Sequence, residues 1–144
     1  MLFRSFNCRF GDPETQPLML RLRSDLLPAL LACRDGNLDK IRLEWDPRPA
    51  VCVVMASGGY PDAYAKGMPI EGLDQEIPDT MVFHAGTARR DGKVVTSGGR
   101  VLGVTALGDD IPGAIRTAYK RVRTIHFDGA HFRMDIGSKA LKYI

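Results

Sequence analysis

Apolar and polar positions change their period several times along the chain. Phe6, Cys8 and Phe10 alternate with Ser5, Asn7 and Arg9, which is the period of a strand over residues 1–10. Gly11 breaks the alternation. Asp12 then has the position of a helix N-cap, with Pro13 as the first helical residue and Glu14 in the first turn. Leu18, Leu22, Leu26 and Leu30 recur near helical spacing, and Met19, Leu27 and Leu31 widen the stripe. The pattern predicts a helix to about residue 34, with Pro28 imposing a kink or break near Leu27. Asp35-Gly36-Asn37 is a turn, and residues 38–49 read as a connection or short edge strand.

The second half is β-rich. The run AVCVVMA at 50–56 predicts a strand buried on both faces and ending in Ser57-Gly58-Gly59-Tyr60-Pro61. Residues 62–80 are punctuated by Gly67, Pro69, Gly72 and Pro78 and read as irregular. Strands are expected over 81–85, over 93–96 after the Asp91-Gly92 hairpin signal, and over 100–106. A helix from Asp109 or Asp110 to about Ile125 would bury Ile111, Ala114, Ile115, Ala118, Val122 and Ile125. Lys120, Arg121 and Arg123 fall mostly on its other face. Ser-Gly-Gly occurs twice, at 57–59 and 97–99, each time after an apolar strand.

Composition narrows the function classes. With 144 residues, 44% hydrophobic and 26% charged, the chain can build one core, and collagen-like or disordered classes are excluded. No apolar run approaches the roughly 18 residues of a membrane span, so no membrane partner is expected. The net charge of +3 is a small and scattered excess, with one cluster at Arg89, Arg90 and Lys93 and another at Lys120, Arg121 and Arg123. A nucleic-acid surface would show a basic stripe with interleaved aromatics, so no nucleic-acid partner is expected. Cys8, Cys33 and Cys52 lack CxxC spacing and read as buried free thiols in a reducing cytoplasm.

Three groups of residues carry candidate chemistry. Asn7 and Arg9 share a strand face, an amide oxygen that suits a hard cation and a guanidinium that suits a phosphate or carboxylate. Asp12 and Glu14 follow closely, although a plain cap at Asp12 and an Arg9–Glu14 surface pair explain them equally well. The Gly58-Gly59 and Gly98-Gly99 loops expose backbone N–H groups, and Arg100 beside the second strengthens an anion reading. His126 and His131 lack the spacing of a zinc site, and His84 reads as a satisfied, partly buried side chain.

The run NCRFGDPETQ at 7–16 resembles the segment that closes the active site in phosphoribosylamine–glycine ligases, members of the ATP-grasp superfamily. The resemblance continues through VVMASGGYP at 53–61, VFHAGT at 82–87, VVTSGGRVL at 94–102, VTAL at 104–107 and RMDIG at 133–137. It implies ATP-dependent joining of glycine to 5-phosphoribosylamine in purine synthesis through a glycyl phosphate, with Mg²⁺ or Mn²⁺ assisting. By resemblance Asn7 is a metal ligand, Arg9 stabilises the anionic intermediate, and Gly11, Asp12, Pro13 and Glu14 shape the glycine end. Gly58, Gly59, Tyr60, Gly98, Gly99 and Arg100 would line the phosphoribosyl side. Ser5 departs from the glutamate expected two residues before Asn7, and a neutral hydroxyl does not replace a carboxylate on Mg²⁺.

These readings predict an α+β fold. Residues 1–37 would be the last strand and helix of an ATP-grasp domain. Residues 38–144 would be the ligase's C-terminal domain, a mostly antiparallel sheet with flanking helices. The chain is expected to be a C-terminal fragment, inactive alone, with no tightly bound cofactor of its own. The alternatives are a non-catalytic sugar-phosphate-binding module, or a scaffold piece that needs a partner chain with the ATP-binding lobes. In that last case exposed apolar surface invites self-association.

Overall fold

The computed structural model describes residues 9–143. Asn7 and the strand predicted over residues 1–10, apart from its last two residues, lie outside the described residues. Two short helices come first, α1 (Thr15–Arg21) and α2 (Leu26–Arg34), followed by a 3-10 turn at Leu38–Lys40. Then come β1 (Ala50–Ser57), β2 (Thr80–His84), β3 (Thr87–Arg90), β4 (Lys93–Thr96), β5 (Arg100–Leu107), α3 (Ile111–Val122) and β6 (Ala130–His131). A second 3-10 turn occupies Ala140–Tyr143.

The main sheet has four strands in the order β2-β5-β1-β6, with every ladder antiparallel. β3 and β4 form a separate hairpin around Asp91-Gly92, where both central residues have the positive φ that a tight two-residue turn requires. One sheet face packs on α3. Val53 and Met55 of β1, Leu102 and Val104 of β5, and Ala114, Ala118 and Val122 of α3 are all fully buried there. The opposite face carries α1, with Gln16 lying over Gly103 and Cys52.

Several sequence expectations are corrected. The predicted long helix is two helices. The break falls at Leu22–Asp25, ahead of Pro28, because Leu22 leaves the helix to bridge Trp45 and Asp25 caps a new one through the Leu27 N–H. Pro28 then sits in the first turn of α2, where its missing N–H costs nothing. Asp12 is not a cap, since Glu14 precedes α1 and the Asp12 carboxylate is used elsewhere. Cys33 is exposed, while Cys52 is buried, and both are free thiols. His84 is exposed, with Nδ1 3.1 Å from the Thr87 hydroxyl.

Arg121 is the largest departure on α3. Periodicity places it opposite the core, yet it is 3% exposed. Its guanidinium donates to the carbonyls of Gly72 at 2.8 Å and Leu73 at 3.0 Å and to the Thr124 hydroxyl. It therefore ties the irregular 62–80 segment to the helix. Burial pulls its pKa down, opposed by the charge of Asp74. Arg121→Met keeps the volume but leaves two carbonyls without a donor. A loss of about 2 kcal/mol is expected in urea unfolding, the scale of unsatisfied buried acceptors. An unchanged midpoint would show that water replaces the guanidinium there.

Asp46 is the hub that holds the first segment down. Its carboxylate, 4% exposed, accepts from Arg48 Nε and Nη2 at 3.0 Å each, from the Arg48 backbone N–H at 3.0 Å, and from Arg23. Arg48 also reaches Asp79 at 2.9 Å. The Arg48 hydrogen bonds hold the Asp46 carboxyl well below the usual carboxylate range. A carboxyl lowered in the folded chain contributes its stability above the unfolded pKa of about 3.9 and loses it as pH falls through the folded value. Asp46→Asn is therefore expected to melt lower than the parent chain near neutral pH, with the gap narrowing below about pH 4. Melting midpoints across that range test it, and a gap that is constant with pH would contradict it.

Candidate functional site

The two Ser-Gly-Gly loops meet. β1 and β5 are antiparallel, and Ala56 pairs with Arg100, so the end of one strand adjoins the start of the other. Ser57 seals the junction: its N–H donates to the Gly99 carbonyl at 2.8 Å and its hydroxyl to the Gly98 carbonyl at 3.0 Å. Close packing accounts for the glycines. A Cβ on Gly99 would lie 2.1 Å from the Tyr60 ring, and one on Gly98 would lie 2.9 Å from Gly86 Cα. A Cβ on Gly58 would lie 2.8 Å from the Gly129 carbonyl, and one on Gly59 2.2 Å from that of Ala63. Contacts this short between heavy atoms are excluded by sterics. The glycines thus let Tyr60 fold over the junction and place Arg100 at its edge.

Beside this junction lies a cavity of about 430 Å³ on the α1 side of the sheet. Cys52, Val54 and Ala56 form its floor, Phe132 and Ile136 one wall, and Pro13, Tyr60, Arg100, His131 and Arg133 its remaining lining. That volume suits a small-molecule ligand. Burial pushes the Cys52 thiol up, and the nearby Asp12 charge adds to this, so the floor stays neutral. Tyr119 of α3 pins the 133–136 wall from behind: its hydroxyl donates to the Arg133 carbonyl at 2.7 Å and accepts from the Ile136 N–H at 3.0 Å.

Charge at the rim comes from distant parts of the chain. Arg100 Nη2 lies 3.1 Å from Asp12 Oδ2, and its Nη1 lies 3.4 Å from the Asp12 carbonyl oxygen. Arg133 is held by Asp135 at 2.6 Å and 2.9 Å, which keeps the Asp135 carboxyl below its ordinary range. Two guanidiniums at one opening can bind a phosphate or carboxylate through paired hydrogen bonds. Of the residues singled out from sequence, Asp12, Pro13, Tyr60 and Arg100 come together here. Arg9 is exposed and donates to the neighbouring Phe10 carbonyl at 3.1 Å, so it makes no pair with Glu14. Glu14 sits at the start of α1 without a side-chain capping bond and is not among the cavity lining.

Sequence reasoning missed Phe132, Arg133 and Ile136 as lining residues. The RMDIG run at 133–137, which contains Arg133 and Ile136 and follows Phe132, was the signal that could have pointed to them. Among the described residues no group of three or more His, Cys, Asp or Glu could hold a metal ion. The cavity residues therefore do not make a metal site by themselves. No helix among the described residues is long and apolar enough to cross a membrane.

Fold and cavity together define an α+β domain with a cavity of small-molecule size whose rim carries two ion-paired arginines. The model of the family described as phosphoribosylglycinamide synthetase, C domain, matches residues 50–139, and the chain belongs to that family. It is 55% identical over 138 residues to a phosphoribosylamine–glycine ligase of Synechocystis sp., an alignment covering 94% of this chain and 33% of that protein. A relative of the same name from Rhodopirellula baltica is 56% identical over 139 residues, covering 94% of this chain and 32% of that one. The crystal structure of phosphoribosylamine–glycine ligase from Thermotoga maritima superposes with a TM-score of 0.74 at 37% identity, over 90% of this chain and 32% of that one. The chain thus spans about a third of the length of the relatives it matches.

Proposed function

We propose that the chain supplies the C-domain side of the substrate site in a phosphoribosylamine–glycine ligase, and that it binds the phosphoribosyl end of the substrate in the cavity beside Arg100. Residues 1–37 then continue the ATP-grasp body, and residues 38–144 form the C-terminal domain. The observation that carries the reading is the Asp12–Arg100 pair at 3.1 Å. It joins the segment that resembles the ligase's closing motif to the second Gly-rich loop, at the mouth of one cavity.

In the reaction implied by the relatives, a glycine carboxylate oxygen attacks the γ-phosphorus of ATP and ADP leaves. The amine of phosphoribosylamine then attacks the glycyl carbonyl and inorganic phosphate leaves. Arg100 and Arg133 would hold the sugar phosphate, Asp12 would attract the glycine ammonium, and Arg9 would face the anionic intermediate. A divalent metal, with Asn7 among its ligands, would neutralise charge on the transferring phosphate. The remaining ATP contacts belong to the part of the relatives that this chain does not match.

Alignment of reactants supplies about 7–11 kcal/mol of such a barrier, so the chain alone is expected to release no ADP above background. The assay contains ATP, Mg²⁺, glycine and phosphoribosylamine generated in place, with Arg9→Ala as the control. Glycine-dependent turnover by the chain alone, lost in Arg9→Ala, would show the site to be self-sufficient. A chain that neither turns over nor binds ribose 5-phosphate would refute the binding role.

A further inference from the structure

β2 is an outer strand of the main sheet and pairs with β5 alone. Its ladder fixes which backbone groups face outward. The Leu107 N–H donates to the Asp79 carbonyl at 2.9 Å and the Ala85 N–H to the Val101 carbonyl at 3.0 Å, both in register with the β2–β5 pairing. Directly bonded positions alternate along an antiparallel pair, so Met81 and Phe83 bond to β5. The N–H and C=O groups of Val82 and His84 therefore turn away from the sheet, as does the Thr80 carbonyl. The Thr80 N–H is taken by the Ile77 carbonyl at 3.3 Å. Among the described residues Val82 and His84 make no backbone hydrogen bond outside the ladder. Open space lies beside them, as two cavities of about 340 and 350 Å³ that meet at His84.

An edge strand is ordinarily blunted by a lysine, a proline or a bulge. β2 has the sequence TMVFH, with none of these, and its register with β5 is unbroken. Met81 adds an apolar side chain that is 48% exposed. The two ends of the edge differ in charge. Asp74 and Glu76 are exposed near the Thr80 end, and Glu76 lines the first cavity. Arg89, Arg90 and Lys93 are exposed beyond the His84 end, and Arg89 lines the second cavity. Neither Glu76 nor Arg89 has an ion-pair partner among the described residues. An edge that is acidic at one end and basic at the other is complementary to its own reversed copy, which is the condition for a two-fold interface.

We propose that two copies of this chain associate edge to edge through β2, antiparallel about a two-fold axis at Val82, so that their four-stranded sheets join into one. In this register the two Val82 residues exchange both N–H···O bonds, and each His84 N–H meets the Thr80 carbonyl of the other copy. Met81 lies opposite Phe83 of the other copy, which covers the exposed thioether with an aromatic ring. Glu76 of each copy comes to the Arg89 end of the other. No residue of β2 lines the cavity beside Arg100, so that cavity stays open in the pair.

Sedimentation velocity of the parent chain is expected to pass from monomer to dimer between about 1 μM and about 1 mM, the range of a small, transient interface. His84→Pro removes an outward donor without removing a bond to β5. It should weaken the dimer at least about tenfold and leave the melting midpoint unchanged. Glu76→Arg and Arg89→Glu should each weaken it about tenfold, because the two-fold repeats each change, and the two together should restore it. That restoration decides the outcome even where His84→Pro fails to fold. Amide exchange at Val82 should slow as the parent chain is concentrated. A parent chain that stays monomeric throughout overturns the proposal. So does a dimer that keeps its affinity in His84→Pro and in both single charge reversals, because another surface then joins the copies.

Discussion

Gly72→Ala is expected to be the most destabilising single-methyl change in this chain, costing about 3 kcal/mol and lowering the melting midpoint by about 10 °C. Two penalties coincide. The backbone at Gly72 has φ +77°, a region that side chains with a Cβ rarely adopt, and the new Cβ would lie 1.8 Å from the Thr124 carbonyl oxygen. The obstacle is backbone, so no side-chain rotation relieves it. The surroundings leave little slack, because the Gly72 carbonyl accepts from the buried Arg121 and the neighbouring Glu71 exchanges backbone hydrogen bonds with His126. Gly36→Ala separates the two penalties. Its φ of +69° is similar, but nothing lies within 4 Å of a Cβ there. Only the backbone cost remains, about 1 kcal/mol. Equal losses at the two sites would show that the 71–73 segment yields freely and that its contact with α3 is soft.

Arg100→Ala is expected to weaken ribose 5-phosphate binding by about 10- to 100-fold, the scale of one or two charge-assisted hydrogen bonds. Arg100→Lys should recover only part of this, because an ammonium cannot offer two parallel donors. Asp12→Asn should act in the opposite direction on the same ligand. It removes an anion that lies 3.1 Å from the guanidinium and competes with phosphate for it, so a several-fold gain is expected. In a reconstituted ligase the same Asp12→Asn change should raise the KM for glycine, whose ammonium loses its counter-charge. Titrations followed by NMR or calorimetry read the first effects, and steady-state kinetics the last. If Arg100→Ala leaves ribose 5-phosphate affinity unchanged, the phosphate does not sit at this rim.

Neither prediction was fully legible in the sequence. The Ser-Gly-Gly repeat is visible at once, and its two copies read as a pair of loops that can offer backbone N–H groups to an anion. Strand pairing adds what the repeat does not show. The antiparallel register sets Ala56 opposite Arg100, so the loops bond to each other through Ser57 and their glycines admit Tyr60. Arg121 shows the same limit from the other side. Its periodicity is that of a surface residue, but the 72–73 carbonyls come from a loop almost fifty positions earlier, and only the folded chain brings them to the guanidinium.

What the sequence by itself determined is local. Continuous apolar, β-rich runs set β1 and β5, Asp91-Gly92 set the β3–β4 hairpin, Asp110 set the start of α3, and the ordered motifs set the family. Each depends on neighbours within a few residues, where backbone geometry and side-chain period act directly. What only the tertiary structure decided is which distant groups meet: Asp12 with Arg100, Asp46 with Arg23 and Arg48, and the Tyr119 hydroxyl with the 133–136 wall. It also moved the break between the first two helices from near Leu27 to Leu22–Asp25, because a bridge to Trp45 outweighs a proline that a first helical turn accommodates. Hydrogen bonds and ion pairs act over a few ångströms in space whatever the separation along the chain, and burial depends on what is packed alongside. A one-dimensional pattern holds neither quantity.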